Sequence, residues 1–175
     1  MKIEKSRSNF LKKGGFTLFE TLIYAVLISI VIGMVLIAVY EIIEARYRSL
    51  ARVEIEEETN FLMRKIVWVL SGVSSINGPP LGVTSTTLSV NKVNFSQNPV
   101  VVGSVNHKAA IAYGGGLPVI LSSDSVRIGQ MSFTQIGSAA TPGIEVHLGL
   151  EFVPRGQLTI YNASTSITTA IYVRQ

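Results

Sequence analysis

The chain has 175 residues, of which 47% are hydrophobic, and a formal net charge of +4 at neutral pH. This charge is local, because residues 1–15 hold five basic residues and one acid, whereas residues 16–175 hold ten of each sign. The neutral remainder argues against nucleic acid as a partner, since a phosphate backbone needs a basic surface. The lack of cysteine excludes disulfides, thiolate metal sites and thiol nucleophiles.

A stretch of 20 uncharged residues from Thr21 to Tyr40 follows the basic leader. As a helix it is about 30 Å long, which matches the hydrocarbon core of a bilayer. Charged residues follow Tyr40 without a small-residue cleavage site, so the span should stay attached to the rest of the chain. The positive-inside rule then places the leader in the cytoplasm and the residues from Glu41 onwards outside.

The string KKGGFTLFE occupies residues 12–20, and Gly14 and Gly15 lie between Lys12–Lys13 and the apolar stretch. Two glycines without side chains leave an accessible backbone for a protease at the membrane face. Joined to a long apolar helix, this string resembles the type III signal of type IV prepilins and pseudopilins. The resemblance implies that prepilin peptidase cuts after Gly15 and methylates the new amino terminus at Phe16.

Glu20 is a carboxylate at the entrance to the predicted span, where a buried charge costs about 2.5–3.5 kcal/mol on insertion scales. The resemblance implies that it pairs with the cationic amino terminus, at Phe16, of a neighbouring subunit and so favours one axial register. A local alternative is that Glu20 lies in the headgroup region as a first-turn residue favoured by the helix dipole. Both roles can hold, one before assembly and one after it.

The resemblance also implies partners and locations. The chain would meet the peptidase, an assembly platform of the inner membrane, and other pilins or pseudopilins that contact its N-terminal helix. It would first be a single-pass protein of the cytoplasmic membrane and then part of a periplasmic or cell-surface filament.

The helix should continue beyond the membrane, because residues 41–70 contain neither glycine nor proline. Opposite charges four residues apart and an apolar face around Leu62 and Ile66 are typical of an amphipathic helix. The acids Glu54, Glu56, Glu57 and Glu58 are consistent with a metal or partner site, but a solvated helix face is the simpler interpretation. Ser71 and Gly72 predict the end of the helix, and Asn77 to Pro80 predict a turn-rich connection.

Beyond residue 80 the composition favours strands. Ile144 to Phe152 alternates apolar and polar residues, Ile167 to Val173 does the same, and a change of parity at Gly129 predicts a bulge or a break. Further strands are predicted at 87–95, 99–105, 109–113, 117–121 and 158–161.

These patterns predict an α+β protein with a pilin-like layout. One long N-terminal helix, transmembrane in its first half and amphipathic in its second, packs on an antiparallel β-sheet domain. The predicted divisions are a cleaved leader at 1–15, a transmembrane and assembly helix at 16–40, its amphipathic continuation at 41–72, and a sheet domain at 73–175.

No catalytic, cofactor or metal site is predicted. His107 and His147 are the only histidines, and His147 falls on the polar face of its strand, where a surface imidazole is the simpler interpretation. Asp124 is the sole aspartate, which argues against an acidic calcium loop.

Three functional classes stay open, none of them enzymatic. The resemblance favours a filament subunit, a minor pilin or minor pseudopilin of a type IV pilus or a type II secretion pseudopilus. The alternatives are a membrane-anchored binding domain that does not polymerise by itself, and an adhesion or DNA-uptake module. Glu20 beside a cleavable glycine favours the first, because a plain anchor needs neither.

Overall fold

The computed structural model describes residues 17–138, 141–153 and 163–173. The predicted leader, the cleavage position and the strand predicted at 158–161 lie outside the described residues. The chain divides into two compact units after Glu44.

The first element is helix α1, Leu18–Leu70, with 53 residues. It contains no proline and a single glycine, Gly33, so nothing in this segment opposes helical backbone angles. It ends where the sequence predicts, because Gly72 adopts a φ of 64°, the left-handed conformation that commonly closes a helix. The predicted long helix is confirmed.

In the second unit, one face of α1 is buried. Its buried residues are Ala51, Ile55, Thr59, Leu62, Ile66, Val69 and Leu70. Apart from the adjacent last two, successive members lie three or four positions apart, as one helical face requires. The Thr59 hydroxyl donates a hydrogen bond of 2.7 Å to the carbonyl of Ile55, so its polar group is satisfied in this apolar setting. The predicted amphipathic face is confirmed.

The strands of the second unit form two antiparallel sheets, not the single sheet that the sequence predicts. The first sheet has the order β1-β3-β4-β5-β6 and the second the order β2-β7-β8-β9. The strands are β1 Val73–Gly78, β2 Thr84–Ser85, β3 Leu88–Lys92, β4 Val100–Val105, β5 Lys108–Tyr113, β6 Val119–Ile120, β7 Val126–Gly137, β8 Pro142–Phe152 and β9 Ser164–Tyr172.

The sequence patterns do not predict strands β1 and β2. Asn77 and Gly78 favour turns, yet both end β1, and the connection begins at Pro79. The side-chain amides of Asn77 and Asn91 on β3 exchange hydrogen bonds of 3.1 and 3.2 Å across the strand pair. These cross-strand bonds hold β1 in place where local propensity does not.

The strands around β8 follow the sequence pattern. Inward residues of β8 are buried, whereas Glu145 and Glu151 are exposed. On β7 the pairing passes from Ile128 opposite Leu150 to Gln130 opposite Gly149, which leaves Gly129 as the extra residue of the predicted bulge.

The core of the second unit draws on both sheets and on α1. Phe133 and Leu148 from the second sheet, Leu88 and Ile111 from the first, and Leu62 from the helix belong to one buried cluster. The α+β layout, a long apolar N-terminal helix packed against antiparallel sheets, is therefore confirmed.

Candidate functional site

The predicted processing residues Lys12, Lys13, Gly14, Gly15 and Phe16 lie outside the described residues. The description begins at Thr17, immediately after them. Of the predicted site residues, the structure therefore describes Glu20 alone.

Thr17 caps the N-terminus of α1. Its side-chain oxygen accepts a hydrogen bond of 3.2 Å from the backbone N–H of Glu20, and its carbonyl accepts bonds from the N–H groups of Glu20 and Thr21. With Thr17 at the cap and Glu20 three residues later, the segment TLFE has the sequence of a capping box. This signal is local and readable from the sequence.

Glu20 thus lies in the first turn of α1, where a negative charge meets the positive end of the helix dipole. The geometry supports the local role of Glu20 that the sequence leaves open. It does not bear on pairing with a neighbour, which stays a prediction.

The first unit presents its apolar side chains outwards on all sides of α1. An 18-residue window of this helix has a mean hydropathy of 3.0, and none of that window is buried. The side chains of Leu22, Met34 and Ile42 are 55%, 65% and 68% exposed. By length and composition the helix can cross a bilayer, which is compatible with a single-pass anchor.

Polar side chains within this apolar segment bond to their own helix. The hydroxyl of Thr21 donates to the carbonyl of Leu18, and that of Ser29 to the carbonyl of Ala25, each at 2.8 Å. Such bonds satisfy a hydroxyl where water is absent.

The acids of α1 in the second unit do not all behave as a solvated face. Glu54, Glu56 and Glu57 are exposed, but Glu58 is half-buried and its Oε1 accepts a hydrogen bond of 2.8 Å from the backbone N–H of Ser123. For Glu58 the solvated-face interpretation is wrong, because its carboxylate fixes the loop before β7 to the helix.

Lys92 on β3 closes the C-terminal end of α1. Its Nζ donates to the carbonyl oxygens of Trp68 and Ser71 and lies 4.4 Å from the centroid of the Trp68 ring. The last carbonyls of a helix lack partners within its regular bonding pattern, and here the carbonyl of Trp68 accepts bonds from Lys92 and also from the N–H and the hydroxyl of Ser71. Burial lowers the pKa of Lys92 below its ordinary value of 10.5.

An aromatic and basic groove of about 370 Å³ lies beside this end of α1, lined by Phe61, Arg64, Lys65, Trp68 and Tyr113. The ammonium of Lys65 lies 5.8 Å from the centroid of the Phe61 ring. Phe95 joins the aromatic side by an edge-to-face contact with Trp68 at 6.2 Å between ring centroids. The groove therefore places cations against ring faces, contacts that the ring quadrupole favours.

The histidines make structural contacts. His147 Nδ1 lies 2.7 Å from the Thr168 hydroxyl on the neighbouring strand, and His107 Nε2 lies 3.0 Å from an Arg127 guanidinium nitrogen. Within residues 17–138, 141–153 and 163–173, no three His, Asp or Glu side chains are grouped to hold a metal ion.

Comparison with protein-family models, with curated proteins and with solved structures finds no match to this chain.

Proposed function

We propose that this chain is a non-enzymatic filament subunit, a minor pilin or minor pseudopilin that polymerises through its apolar N-terminal helix. The observation that carries the proposal is the first unit of α1, whose apolar side chains are exposed all round and which begins, with Glu20 in its first turn, directly after the GGF string. A helix of this kind needs a bilayer first and can later exchange lipid for neighbouring helices.

In this proposal Gly15 and Phe16 flank the bond that the peptidase cuts. The new amino terminus at Phe16 then lies one residue before the Thr17 cap, so that α1 begins almost at the end of the mature chain. The Glu20 carboxylate and the Phe16 ammonium of a neighbouring subunit form the pair that sets axial register.

The first experiment is mass spectrometry of the chain from membranes of cells that make a prepilin peptidase. We expect N-methylphenylalanine at Phe16, and replacement of Gly15 by valine should leave the uncut precursor in the membrane. An intact leader on the wild-type chain in such cells would contradict the proposal.

A second experiment separates the two roles of Glu20. Glu20→Gln removes the charge, whereas Thr17→Ala weakens the helix cap and leaves the charge in place. We expect both variants to be cut, but Glu20→Gln to enter filaments at least about tenfold less well than Thr17→Ala, since losing one partner of a buried charge pair costs 2 kcal/mol or more. Equal incorporation of the two would reduce Glu20 to its local role.

The second candidate, a membrane-anchored binding domain, is favoured by the aromatic and basic groove at Phe61, Arg64, Lys65, Trp68 and Tyr113. A chain of that class would stay monomeric in its membrane. Size analysis of the membrane-extracted wild-type chain therefore distinguishes the two candidates.

A further inference from the structure

Strand β9 is an edge of the second sheet, and half of its backbone groups point away from its neighbour β8. The N–H of Phe152 donates to the carbonyl of Ala163, and the N–H of Val173 donates to the carbonyl of Pro142. In an antiparallel pair the bonded positions alternate, so the odd-numbered residues of β9 bond to β8. The even-numbered residues direct their N–H and C=O groups to the open side, and they are Ser164, Ser166, Thr168, Ala170 and Tyr172.

These outward groups have no hydrogen-bonding partner in the described chain. Among the described strands β9 pairs with β8 alone, and no other backbone or side-chain group bonds to the five outward N–H and five outward C=O groups. A row of free backbone groups on an extended strand is a template for a further strand.

The other described edges of the two sheets are each poorly suited to pairing. Strands β2 and β6 have only two residues each, and Pro118 directly precedes β6. Strand β1 pairs with β3 through two shifts of register, and Pro79 follows it. Short strands, irregular pairing and prolines are common means by which proteins block an edge.

Strand β9 has none of these protective features. It is nine residues long, and its pairing with β8 runs from Ser164 to Tyr172 without a shift of register. Residues 163–173 contain no proline and no charged side chain, and they are rich in β-branched threonine and isoleucine. The described chain thus blocks three edges and leaves a long, regular and uncharged edge open.

The inward face of β9 is also incompletely covered. On β8 the inward side chains of Ile144 and Leu148 are 0% exposed, whereas their partners on β9, Ile171 and Ile167, are only half-buried. A strand added beside β9 would cover this row and would bury more of its apolar surface.

We propose that β9 pairs with β9 of a second copy of this chain, antiparallel, and joins two four-stranded sheets into one sheet of eight strands. Pairing along the whole edge needs a partner strand that is long and regular, and among the described edges of a second copy only β9 meets this need. Since β9 has no charged side chain, no like charges oppose each other in such a pair.

The antiparallel direction follows from the two faces of the strand. In antiparallel pairing the residues with outward groups lie opposite one another, so exposed rows continue exposed rows and half-buried rows continue half-buried rows. Parallel pairing would set the exposed row of one copy beside the half-buried row of the other. Overlap of the whole strand centres the pair on Thr168, which faces Thr168 of the second copy, while Ser166 faces Ala170.

Such a contact closes on itself. The same edge is used on both copies, so the interface is isologous and the product is a dimer. The contact lies in the second unit and needs neither cleavage at Phe16 nor packing of the apolar part of α1. It therefore goes beyond the proposed function and does not depend on it.

Disulfide cross-linking tests the register, because the natural chain has no cysteine. Thr168→Cys in the full-length chain places the two cysteines opposite each other, with Cα atoms about 5.5 Å apart, a separation that a disulfide spans. We expect a covalent dimer as the main product after oxidation in membranes. Monomer alone would overturn the pairing.

Ser166→Cys is the matched control, on the same face of β9 and two residues away. In the proposed register the two copies of residue 166 lie four residues apart along the strands, about 14 Å, which is too far for a disulfide. Alone it should give at most about a tenth of the Thr168→Cys dimer, whereas Ser166→Cys chains made together with Ala170→Cys chains should give dimer within about threefold of it. Equal dimer from Ser166→Cys alone would mean random collision and would overturn the register.

Charge tests the same contact without cysteine. Ser166→Lys with Ala170→Lys in one chain sets lysine opposite lysine twice in the pair, whereas Ser166→Lys with Ala170→Glu sets lysine opposite glutamate. Because like charges directly opposite destabilise a strand pair, the dimer fraction of the detergent-extracted chain should be at least about fivefold lower for the first variant. Both side chains are exposed, and unfolding followed by Trp68 fluorescence checks that the second unit is intact. Equal dimer fractions would overturn the pairing.

Amide hydrogen exchange distinguishes this edge from a contact elsewhere. The N–H groups of Ile167 and Thr169 bond to β8 in monomer and dimer alike, whereas those of Ser166, Thr168 and Ala170 bond only in the pair. Raising the concentration of the purified wild-type chain should slow exchange at the three even positions at least about tenfold and at the two odd positions less than about threefold. Fast exchange at the even positions in a chain that stays monomeric would overturn a second copy as the partner, and a strand of another protein would then be the occupant.

The outcomes also separate this inference from the proposed function. A chain that is cut at Phe16 and enters filaments, yet gives no Thr168→Cys dimer, contradicts the β9 pair alone. A chain that forms this dimer but stays uncut in cells that make the peptidase contradicts the filament subunit alone. Size analysis of the variant with lysine at positions 166 and 170 then reports contacts through α1 without those through β9.

Discussion

The two parts of α1 obtain their stability from different sources. In the first unit Leu22, Met34 and Ile42 are more than half exposed, whereas in the second unit Ile55 and Ile66 are 2% and 1% exposed. Apolar burial contributes about 25 cal/mol per Å². The second part obtains this contribution from its own sheets, whereas the apolar side chains of the first are exposed in the described chain. One helix thus joins a segment whose apolar face is buried to a segment whose apolar side chains are exposed.

Removal of a core side chain should lower the free energy of unfolding by the largest amount. Phe133→Ala in β7, where Phe133 is 0% exposed, should lower the free energy of unfolding of the second unit by about 3–5 kcal/mol. Denaturant unfolding of the detergent-solubilised chain can be followed by the fluorescence of Trp68, the single tryptophan, which lies in this unit.

The matched change in the first unit is Leu27→Ala, at a side chain that is 53% exposed. It should leave the Trp68 transition within about 0.5 kcal/mol of the wild type. If Phe133→Ala and Leu27→Ala lowered the free energy of unfolding equally, the two parts of α1 would not differ in the source of their stability.

Removal of the Glu58 carboxylate should give the next largest loss of stability. Glu58→Ala leaves the backbone N–H of Ser123 without its acceptor and should cost about 1–3 kcal/mol. Glu57→Ala removes an identical but exposed side chain next to it and should cost less than about 0.5 kcal/mol. Equal costs would mean that the loop before β7 does not depend on the helix.

Removal of the Lys92 cap at the end of α1 should lower the free energy of unfolding by a smaller amount. Lys92→Met removes the donor to the carbonyls of Trp68 and Ser71 and should lower the free energy of unfolding by about 1–2 kcal/mol, whereas Lys92→Arg retains a donor and should lose less.

This cap also gives a pH dependence with a defined sign. Because burial lowers the pKa of Lys92, the unfolded chain binds more protons than the folded chain between that pKa and the ordinary value of 10.5. The free energy of unfolding of the wild type relative to Lys92→Met should therefore rise as the pH rises through this window. A difference that falls with pH would contradict the direction of the pKa shift.

Sequence patterns predict those parts of the fold whose signal lies within a single helix or strand. The uninterrupted α1, the alternation along β8 and the bulge at Gly129 each follow from spacing within a single segment. The division into two sheets does not, because it depends on which distant strands pair, as β2 does with β7.

The contacts of the candidate site residues likewise divide into local ones, which the sequence predicts, and long-range ones, which it does not. The capping segment from Thr17 to Glu20 is a local signal that the sequence contains. The contacts of Glu58 with Ser123 and of Lys92 with the end of α1 join residues 65 and more than 20 positions apart, and no spacing rule indicates them. Such long-range polar contacts are visible only once the sheets are placed.

Substitutions at Gly33 test whether this position of the first unit contacts another copy of the chain or lipid. A Cβ built at Gly33 has no atom within 4 Å, so Gly33→Ala and Gly33→Leu should both leave the Trp68 transition within about 0.5 kcal/mol of the wild type. In membranes, small residues let helices approach closely. If Gly33 lies at a contact between copies, Gly33→Leu should lower multimer yield while Gly33→Ala does not, because only the larger side chain separates the helices. Multimers that tolerate leucine at this position would place the glycine on a face that meets lipid, and the contacts between copies would then lie elsewhere on α1.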